Sequence, residues 1–191
     1  MSTQIKDIEL IQRVIERDSK ALEALYDKYS PVLFTLINKI LGSKEKAEIV
    51  LTEIFVIIWQ KCDLFNLETQ NLFTWLILLT RNKSLDYLRR EKGVQLPEYN
   101  DEYENSEIIP KISPEITPLD IEDSFYKREL IYTAMSNLTD AQQYVLSLAF
   151  YEGLNENDIA KKLNIPIPTI KSKLRVVLNS LRDVLDKETT Q

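Results

Sequence analysis

The sequence predicts an all-α protein with two helical blocks, residues 1–93 and 125–191, joined by a flexible acidic linker over residues 94–124. Three observations support this fold class. Apolar residues recur at helical spacing through both blocks, the 191 residues include only three glycines, and prolines and acidic residues concentrate in the middle stretch. A hydrophobic content of 44% with 28% charged residues is typical of a globular protein.

The first block is predicted to hold four helices. Apolar and tyrosine side chains share one helical face over residues 22–29, and Ser30 and Pro31 then offer an N-cap and a first-turn proline for a second helix. Gly42 interrupts the second pattern, and a continuous apolar stripe over residues 47–58 predicts the third helix. The fourth helix is predicted from about residue 72 to 90.

The second block is predicted to contain a helix-turn-helix. After a first short helix, Thr139 and Gln142 have the spacing of a capping box that begins the next one. Asn155 is suited to cap a short helix, and Asn164 is suited to the left-handed residue that ends it. A longer helix with one apolar stripe follows over residues 170–185. Two helices joined by so short a turn indicate the helix-turn-helix motif.

The linker carries the whole acidic excess of the chain. Residues 94–124 hold nine acidic side chains against Lys111 alone, together with four prolines and no sustained periodicity. Two interpretations remain open, a solvated spacer or an acidic strand that occupies a basic groove on a partner. The first block holds fourteen basic residues against thirteen acidic ones, and the second holds nine against eight. Either block can therefore carry a basic patch despite the net charge of −6.

Composition argues against the commoner enzyme sites. The chain has no histidine and a single cysteine, Cys62, so a histidine-dependent triad and a thiolate metal cage are excluded. Its glycines stand too far apart for a phosphate-binding loop. We therefore predict no enzyme activity, no metal and no cofactor. The absence of an apolar signal core and of a long uncharged apolar run predicts a cytoplasmic protein, with Cys62 as a plain buried or half-buried thiol.

Two basic surfaces are predicted to bind nucleic acid. In a helix-turn-helix the second helix enters the major groove with its early side chains, although a solvated basic face on an ordinary hairpin is the alternative. The small Ala160, which permits close helix crossing, favours DNA binding. On the fourth helix, Lys83, Tyr87 and Arg90 share one face that can follow phosphates and stack a base. The predicted major-groove contacts are Thr169, Lys171, Ser172, Lys173 and Arg175.

Both blocks resemble the extracytoplasmic-function sigma factors over about residues 18–90 and 138–185. In the first block the resemblance lies in the ordered series ALEALYDKYSP (21–31), ILG (40–42), Trp59, Trp75 and the basic end of the fourth helix. In the second block it lies in LTDAQQYVLSLAFYEGLN (138–155), DIAKKL (158–163) and TIKSKL (169–174). The second series alone fits many regulators. The pairing of both blocks through an acidic linker singles out this family.

The resemblance implies a non-enzymatic subunit that binds core RNA polymerase and two elements of promoter DNA. The first block, sigma region 2, would melt the downstream element, and the second, sigma region 4, would hold the upstream element as duplex. The loop over residues 61–71 would receive a flipped base, and the linker would lie in the RNA exit path of the polymerase. An anti-sigma protein is a further expected partner. The implied contacts to the downstream element and melted strand are Phe65, Asn66, Lys83, Tyr87, Arg89 and Arg90.

The resemblance also implies that the third helix docks on polymerase, but the chain departs from the family there. Ile49 and Thr52 stand where an acidic residue and a glutamine are usual, and Ile57 replaces a frequent basic residue. With Val56 they predict an apolar strip outside the core, which would be extra packing, a modified polymerase contact or a surface for another protein. The second hypothesis is therefore a stand-alone or sigma-like regulator that does not engage core polymerase normally. The implied polymerase contacts are Glu48, Ile49, Thr52, Glu53 and Val56.

Overall fold

The structure, a computed structural model, describes residues 2–66, 71–111 and 127–186, with side chains from 7 to 184. The described residues form helices and no strand, which confirms the predicted all-α class. They fall into two compact units, Met1–Asp120 and Ile121–Gln191. The predicted linker limits at residues 94 and 124 stay a prediction. None of the described helices combines the length and apolar character needed to cross a membrane.

The first unit is a bundle of long helices followed by a short helical turn. Helices α2, α3 and α4 pack against one another, and α1 packs against α2. Gly42, with φ 68°, ends α2 in the left-handed conformation that favours glycine. The elements are α1 (Ser2–Ile15), α2 (Ser19–Leu41), α3 (Lys44–Lys61), a 3₁₀ turn (Cys62–Leu64), α4 (Leu72–Glu91), and α5 (Asp101–Tyr103) with a π-helical continuation (Glu104–Ile108).

Helix α2 runs unbroken through Pro31, where the sequence pattern predicted two helices. Proline removes one helical hydrogen bond and crowds the carbonyl of Asp27, one turn earlier. The buried side chains nevertheless stay in phase across Pro31, so one continuous stripe packs against α1, α3 and α4. Burial of that stripe outweighs the local cost of the proline. The buried residues of α2 are Ala21, Leu25, Tyr29, Leu33, Ile37 and Ile40.

Helix α1 was not predicted, and a buried carboxylate ties it to α2. Asp7 is only 5% exposed, and its oxygens accept hydrogen bonds from Lys28 Nζ at 2.5 Å and from Tyr29 Oη at 2.6 Å. Ile11 and Val14 of the same helix are fully buried. Six of the fourteen residues of α1 are apolar and recur at helical spacing, so the helix itself was predictable. The polar contact that ties it to α2 is not revealed by periodicity.

The beginning of the predicted linker is folded onto the first unit, which corrects the expectation of an extended chain there. Residues 101–108 are helical, and Tyr103, Glu104, Ile108 and Ile109 are buried. Acidic composition predicted solvation, but the aromatic and isoleucine side chains in this stretch find apolar cover, which favours folding. Residues 112–124 lie outside the described part of the chain, so the linker remains a prediction there.

The second unit contains the predicted helix-turn-helix. A small core of Val145, Leu148, Ile159, Ala160 and Ile170 joins its last three helices. The helices are α6 (Arg128–Ser136), α7 (Asp140–Phe150), α8 (Glu156–Leu163) and α9 (Ile167–Asp186).

Side-chain caps position the helices of this unit as the sequence predicted. Thr139 N donates to Gln142 Oε1 at 2.8 Å, and Gln142 N donates to Thr139 Oγ1 at 3.4 Å, which completes the capping box. Asn155 Oδ1 accepts from the backbone N–H of Asp158 at 3.0 Å. Asn164 adopts φ 52° and turns the chain between α8 and α9.

Burial makes the single thiol slow to react. Cys62 is 1% exposed, and burial raises the pKa of its thiol. We expect folded protein to react with a disulfide reagent at pH 8 at least about tenfold more slowly than protein in guanidinium, because both the thiolate fraction and access are reduced. Absorbance of the released thiolate measures both rates. Equal rates would contradict the buried position of Cys62.

Candidate nucleic-acid and polymerase-binding surfaces

The N-terminal half of α9 presents the residues predicted to meet duplex DNA. Ile170 and Val177 are fully buried and fix the rotation of this helix. Lys171 Nζ lies 3.5 Å from Glu156 Oε2, and both side chains are about half exposed, so the ion pair is weak and open to competition by phosphate. The structure therefore brings the predicted set onto one stretch of accessible helix. Its members are Lys173, which is half-buried, and the exposed Thr169, Lys171, Ser172 and Arg175.

The α4 surface, defined here as Lys83, Tyr87, Arg89 and Arg90, is only partly accessible. Arg89 is exposed and Tyr87 and Arg90 are half-buried, but Lys83 is 7% exposed. The Lys83 ammonium and the Arg90 guanidinium lie 3.9 Å and 5.4 Å from the centre of the same Tyr99 ring. The structure thus places these two cations on one face, as the helical spacing predicted.

The acidic segment, defined here as residues 97–109, lies on that face. Arg90 Nη2 donates to the backbone oxygen of Pro97 at 3.1 Å, and Arg90 Nε donates to both Asp86 oxygens at 2.9 and 3.1 Å. Tyr103 Oη donates to Asp86 Oδ1 at 2.7 Å. The hydrogen bond that Arg90 donates to Asp86 raises the pKa of Arg90, and burial together with the hydrogen bond donated to Asp86 raises the pKa of Tyr103.

A second group of contacts joins the acidic segment to the end of α3. Lys61 Nζ lies 2.7 Å from Glu104 Oε2 and 3.1 Å from Asp101 Oδ1, and Tyr99 Oη donates to Glu104 Oε1 at 2.6 Å. Burial opposes the charge on Lys61, but the two carboxylates raise its pKa overall. Burial and the bond to Glu104 also raise the pKa of Tyr99. Sequence reasoning missed Lys61 and Tyr99. The available signal was the i, i+4 spacing of Tyr99 and Tyr103 inside an acidic stretch.

The loop predicted to receive a flipped base is described only as far as residue 66. Phe65 is 4% exposed, and its ring meets the Trp75 ring edge-on at 5.6 Å between centroids. This ring supports the loop from inside the core and is not presented to a base, whereas Asn66 is exposed. Residues 67–70 lie outside the described part of the chain. Phe65 and Asn66 therefore occupy different environments despite their adjacent positions.

Helix α3 exposes a narrower apolar strip than the sequence predicted. Ile57 is 3% exposed and packs in the core, because it follows Val50 and Ile54 on the buried face at spacings of seven and three. The prediction that Ile57 lies outside the core is wrong. Glu53 is half-buried, with Oε2 3.0 Å from Lys83 Nζ. Among the predicted polymerase contacts, Glu53 is partly accessible and the exposed ones are Glu48, Ile49, Thr52 and Val56.

Comparison with known proteins gives matches in both units. Residues 25–94 match Sigma-70 region 2, and residues 134–183 match Sigma-70, region 4. The ECF RNA polymerase sigma factor SigK of Mycobacterium sp. (strain KMS) is 24% identical over 176 residues, covering 92% of this chain and 89% of the relative. The SigK of Mycobacterium tuberculosis (strain ATCC 25177 / H37Ra) is 27% identical over 177 residues, covering 93% and 92%.

Two solved structures also align along most of the chain. Rhodobacter sphaeroides SigE in complex with the anti-sigma ChrR shares 24% identity, with coverage of 94% of this chain and 98% of that one and a TM-score of 0.47. CnrH in complex with the cytosolic domain of CnrY shares 14% identity, with coverage of 95% and 98% and a TM-score of 0.43.

The family matches follow the helices already described. The region 2 match spans most of α2 and all of α3 and α4, and the region 4 match spans α7, α8 and most of α9. They stand in the order predicted from the sequence, one in each compact unit. The chain therefore belongs to the sigma-70 family, as an RNA polymerase sigma factor of the extracytoplasmic-function type that directs the polymerase in transcription initiation.

Proposed function

We propose that α9 binds the upstream promoter element as duplex DNA. The observation that carries this proposal is the placement of Lys171, Lys173 and Arg175 at the accessible start of α9, whose rotation is fixed by buried Ile170 and Val177. The major groove admits a helix, and the early side chains of a recognition helix reach base edges and phosphates. Thr169 and Ser172 offer hydroxyls to base edges, while the cations neutralise phosphates.

We further propose that the α4 surface and the loop after α3 hold the melted downstream element. Asn66 is the candidate for polar contact with an extruded base, while Phe65 supports the loop. Lys83, Arg89 and Arg90 provide cations for the displaced strand. Extrusion of a base costs a few kcal/mol, which we assign to binding energy rather than to nucleotide hydrolysis. The family consists of non-enzymatic initiation factors, and we propose that this chain likewise needs no catalytic group, metal or cofactor.

We propose that α3 docks on core polymerase through its exposed side. Ile49 and Val56 are 50% and 48% exposed, and such apolar side chains beside Glu48 and Thr52 are suited to a protein interface. The same apolar positions support a second candidate function, in which α3 binds a regulator such as an anti-sigma protein. We propose a cytoplasmic location, because bacterial RNA polymerase, with which a sigma factor acts, works in the cytoplasm.

Run-off transcription tests the function in initiation and the proposed role of α4 in holding the melted strand. Purified core polymerase, this protein and a cognate promoter should yield a transcript from fully paired DNA. Arg89→Ala should reduce the amount of that transcript severalfold. The reduction should be smaller on a template that is already melted around the start, because the displaced strand no longer has to be captured. Lys92→Ala, which removes another exposed charge at the end of the same helix, is the control.

The same assay separates the candidate functions. Failure to form a polymerase complex, together with the absence of a transcript, would overturn the role in initiation. Duplex binding without a polymerase complex would favour the stand-alone regulator. Equal loss on paired and melted templates for Arg89→Ala would contradict the proposed role of α4 in holding the melted strand.

A further inference from the structure

We propose that the acidic segment is an internal substitute for nucleic acid, which covers Lys83 and Arg90 of the α4 surface in the free protein and is displaced when a single strand binds. This inference rests on the proposed role of the α4 surface in holding the melted strand. The segment places the Tyr99 ring on Lys83 and Arg90, and the Tyr103 ring and the Pro97 carbonyl oxygen on Arg90, while its carboxylates pair with the nearby Lys61. A DNA strand presents the same chemistry through base rings and phosphate oxygens.

The aromatic part of the contact resembles base stacking. Tyr99 places its ring 3.9 Å from the Lys83 ammonium, and Arg90 lies 5.4 Å and 4.9 Å from the rings of Tyr99 and Tyr103. The centroids of these two rings are 5.8 Å apart. Cations that lie over tyrosine rings can lie over bases in the same way, because every base has a π-face. The strand and the two tyrosines therefore compete for the same cations.

The carboxylate of Glu104 pairs with Lys61, a cation next to the α4 surface. Glu104 is 7% exposed and lies 2.7 Å from Lys61 Nζ, while Tyr99 Oη binds its other oxygen. Glu104 thus holds both the Tyr99 ring and the Lys61 ammonium in place. Its carboxylate presents one negative charge and two oxygens to Lys61, as a phosphodiester group of DNA would. Loss of this one side chain should loosen the acidic segment without altering any cation of the α4 surface.

The segment is attached unevenly, which allows its first part to move while its end stays in place. Ile108 is 1% exposed, and Asn82 Nδ2 donates to its backbone oxygen at 3.1 Å, so this end is anchored to α4. Earlier in the segment the Asp101 side chain is 95% exposed. An open cleft of about 470 Å³ is lined by Arg89 on α4 and by side chains of the segment between Pro97 and Glu107. Displacement of residues 97–105 about the Ile108 anchor would uncover Lys83 and Arg90.

Binding of a single strand by the full-length chain tests the competition. The probe is a fluorescent oligonucleotide of about 20 nucleotides and mixed sequence, followed by anisotropy. Glu104→Ala should bind it about five- to tenfold more tightly than the unaltered protein, because apparent affinity rises as the open fraction rises. Glu102→Ala is the matched control, since it removes the same charge from an exposed position two residues away and should stay within about twofold of the unaltered protein.

Hydrogen exchange supplies the direct readout. Addition of the oligonucleotide should speed exchange of the Tyr103 and Glu104 amides, which donate to Asn100 in the part of the segment that moves, in the unaltered protein. Tyr99→Ala, which removes the ring from Lys83 at a partly exposed position, should tighten strand binding like Glu104→Ala and serves if that variant does not fold.

Two failures are distinguishable. If the oligonucleotide binds and the segment stays protected, or if Glu102→Ala and Glu104→Ala have equal effects, the segment is a permanent part of the unit and the internal substitute is overturned. The proposed strand-binding role of the α4 surface then stands. If no variant binds the strand, either alone or within the polymerase complex, both the strand-binding role and the inference built on it are overturned.

Discussion

Replacing Lys171, Lys173 and Arg175 together by alanine is expected to weaken binding to upstream promoter duplex by about 10²- to 10³-fold at low salt. Each cation that neutralises a phosphate adds about 0.9 to the slope of log affinity against log salt, so the slope should fall by about two to three. Of the three residues, Lys171 should contribute least to the slope, because its ammonium already lies near Glu156. Anisotropy titrations between about 50 and 200 mM salt measure both quantities.

A matched pair on one helix separates contact from net charge. Arg175 and Arg182 are both exposed on α9, two turns apart, and Arg182 lies beyond the proposed groove contacts. Arg175→Ala should lower duplex affinity severalfold and reduce the salt slope by about one, whereas Arg182→Ala should leave both nearly unchanged. Equal effects of the two substitutions, or an unchanged slope in the triple variant, would contradict the assigned recognition helix.

Val56→Glu is expected to weaken the complex with core polymerase by at least about tenfold and to remove most run-off transcript. Val56 is 48% exposed, so the new carboxylate stays hydrated in the free protein and should change the free energy of unfolding by less than about 0.5 kcal/mol. At an apolar interface the same carboxylate loses water without a partner, which costs binding energy. Co-elution with core polymerase and thermal unfolding measured by circular dichroism provide the two readouts.

The neighbouring residue is the control for this prediction. Ile57 is 3% exposed, and Ile57→Glu forces a carboxylate into the core, so we expect destabilisation by at least about 3 kcal/mol or complete unfolding of the first unit. The two adjacent substitutions thus separate a surface effect from a folding effect. Unaltered polymerase affinity in Val56→Glu would place the polymerase contact elsewhere and leave the apolar strip of α3 to another protein.

In the second unit, local signals in the sequence were sufficient to predict the helix caps and the turn of the helix-turn-helix. Thr139, Gln142, Asn155 and Asn164 each hold the cap or turn that their residue type favours. Because these interactions span only a few residues, they can be identified without knowledge of the tertiary fold. The apolar stripe of α9 likewise indicated which of its side chains face outward, and Ile170 and Val177 are fully buried.

The first unit shows where local signals fail. Pro31 favoured a helix boundary, but the buried stripe on either side of it is held by three other helices, and this tertiary packing exceeds the cost of the proline. The docking of α1 onto α2 includes Asp7, whose partners Lys28 and Tyr29 are more than twenty residues away in the sequence. Neither outcome follows from the spacing of residues within a single helix.

The candidate surfaces were predicted in part for the same reason. Helical spacing placed Lys83 and Arg90 on one face of α4, but it could not show that the acidic segment covers them. Charge patterning suggested that an acidic strand can occupy a basic groove on a partner. In the structure, residues 97–109 of this chain occupy a basic face of their own unit. The sequence therefore indicated that acidic residues would meet basic ones, but only the fold showed that the basic face lies in the same unit.

The ion pair between Glu53 and Lys83 joins the two proposed binding events of the first unit. One carboxylate on α3 and one ammonium on α4 lie 3.0 Å apart. Under the proposed assignments, a phosphate that takes the ammonium releases the carboxylate toward polymerase, and a polymerase group that takes the carboxylate releases the ammonium toward the strand. Coupling between two ligands is reciprocal. Breaking this one ion pair would therefore make strand binding favour polymerase docking, and polymerase docking favour strand binding.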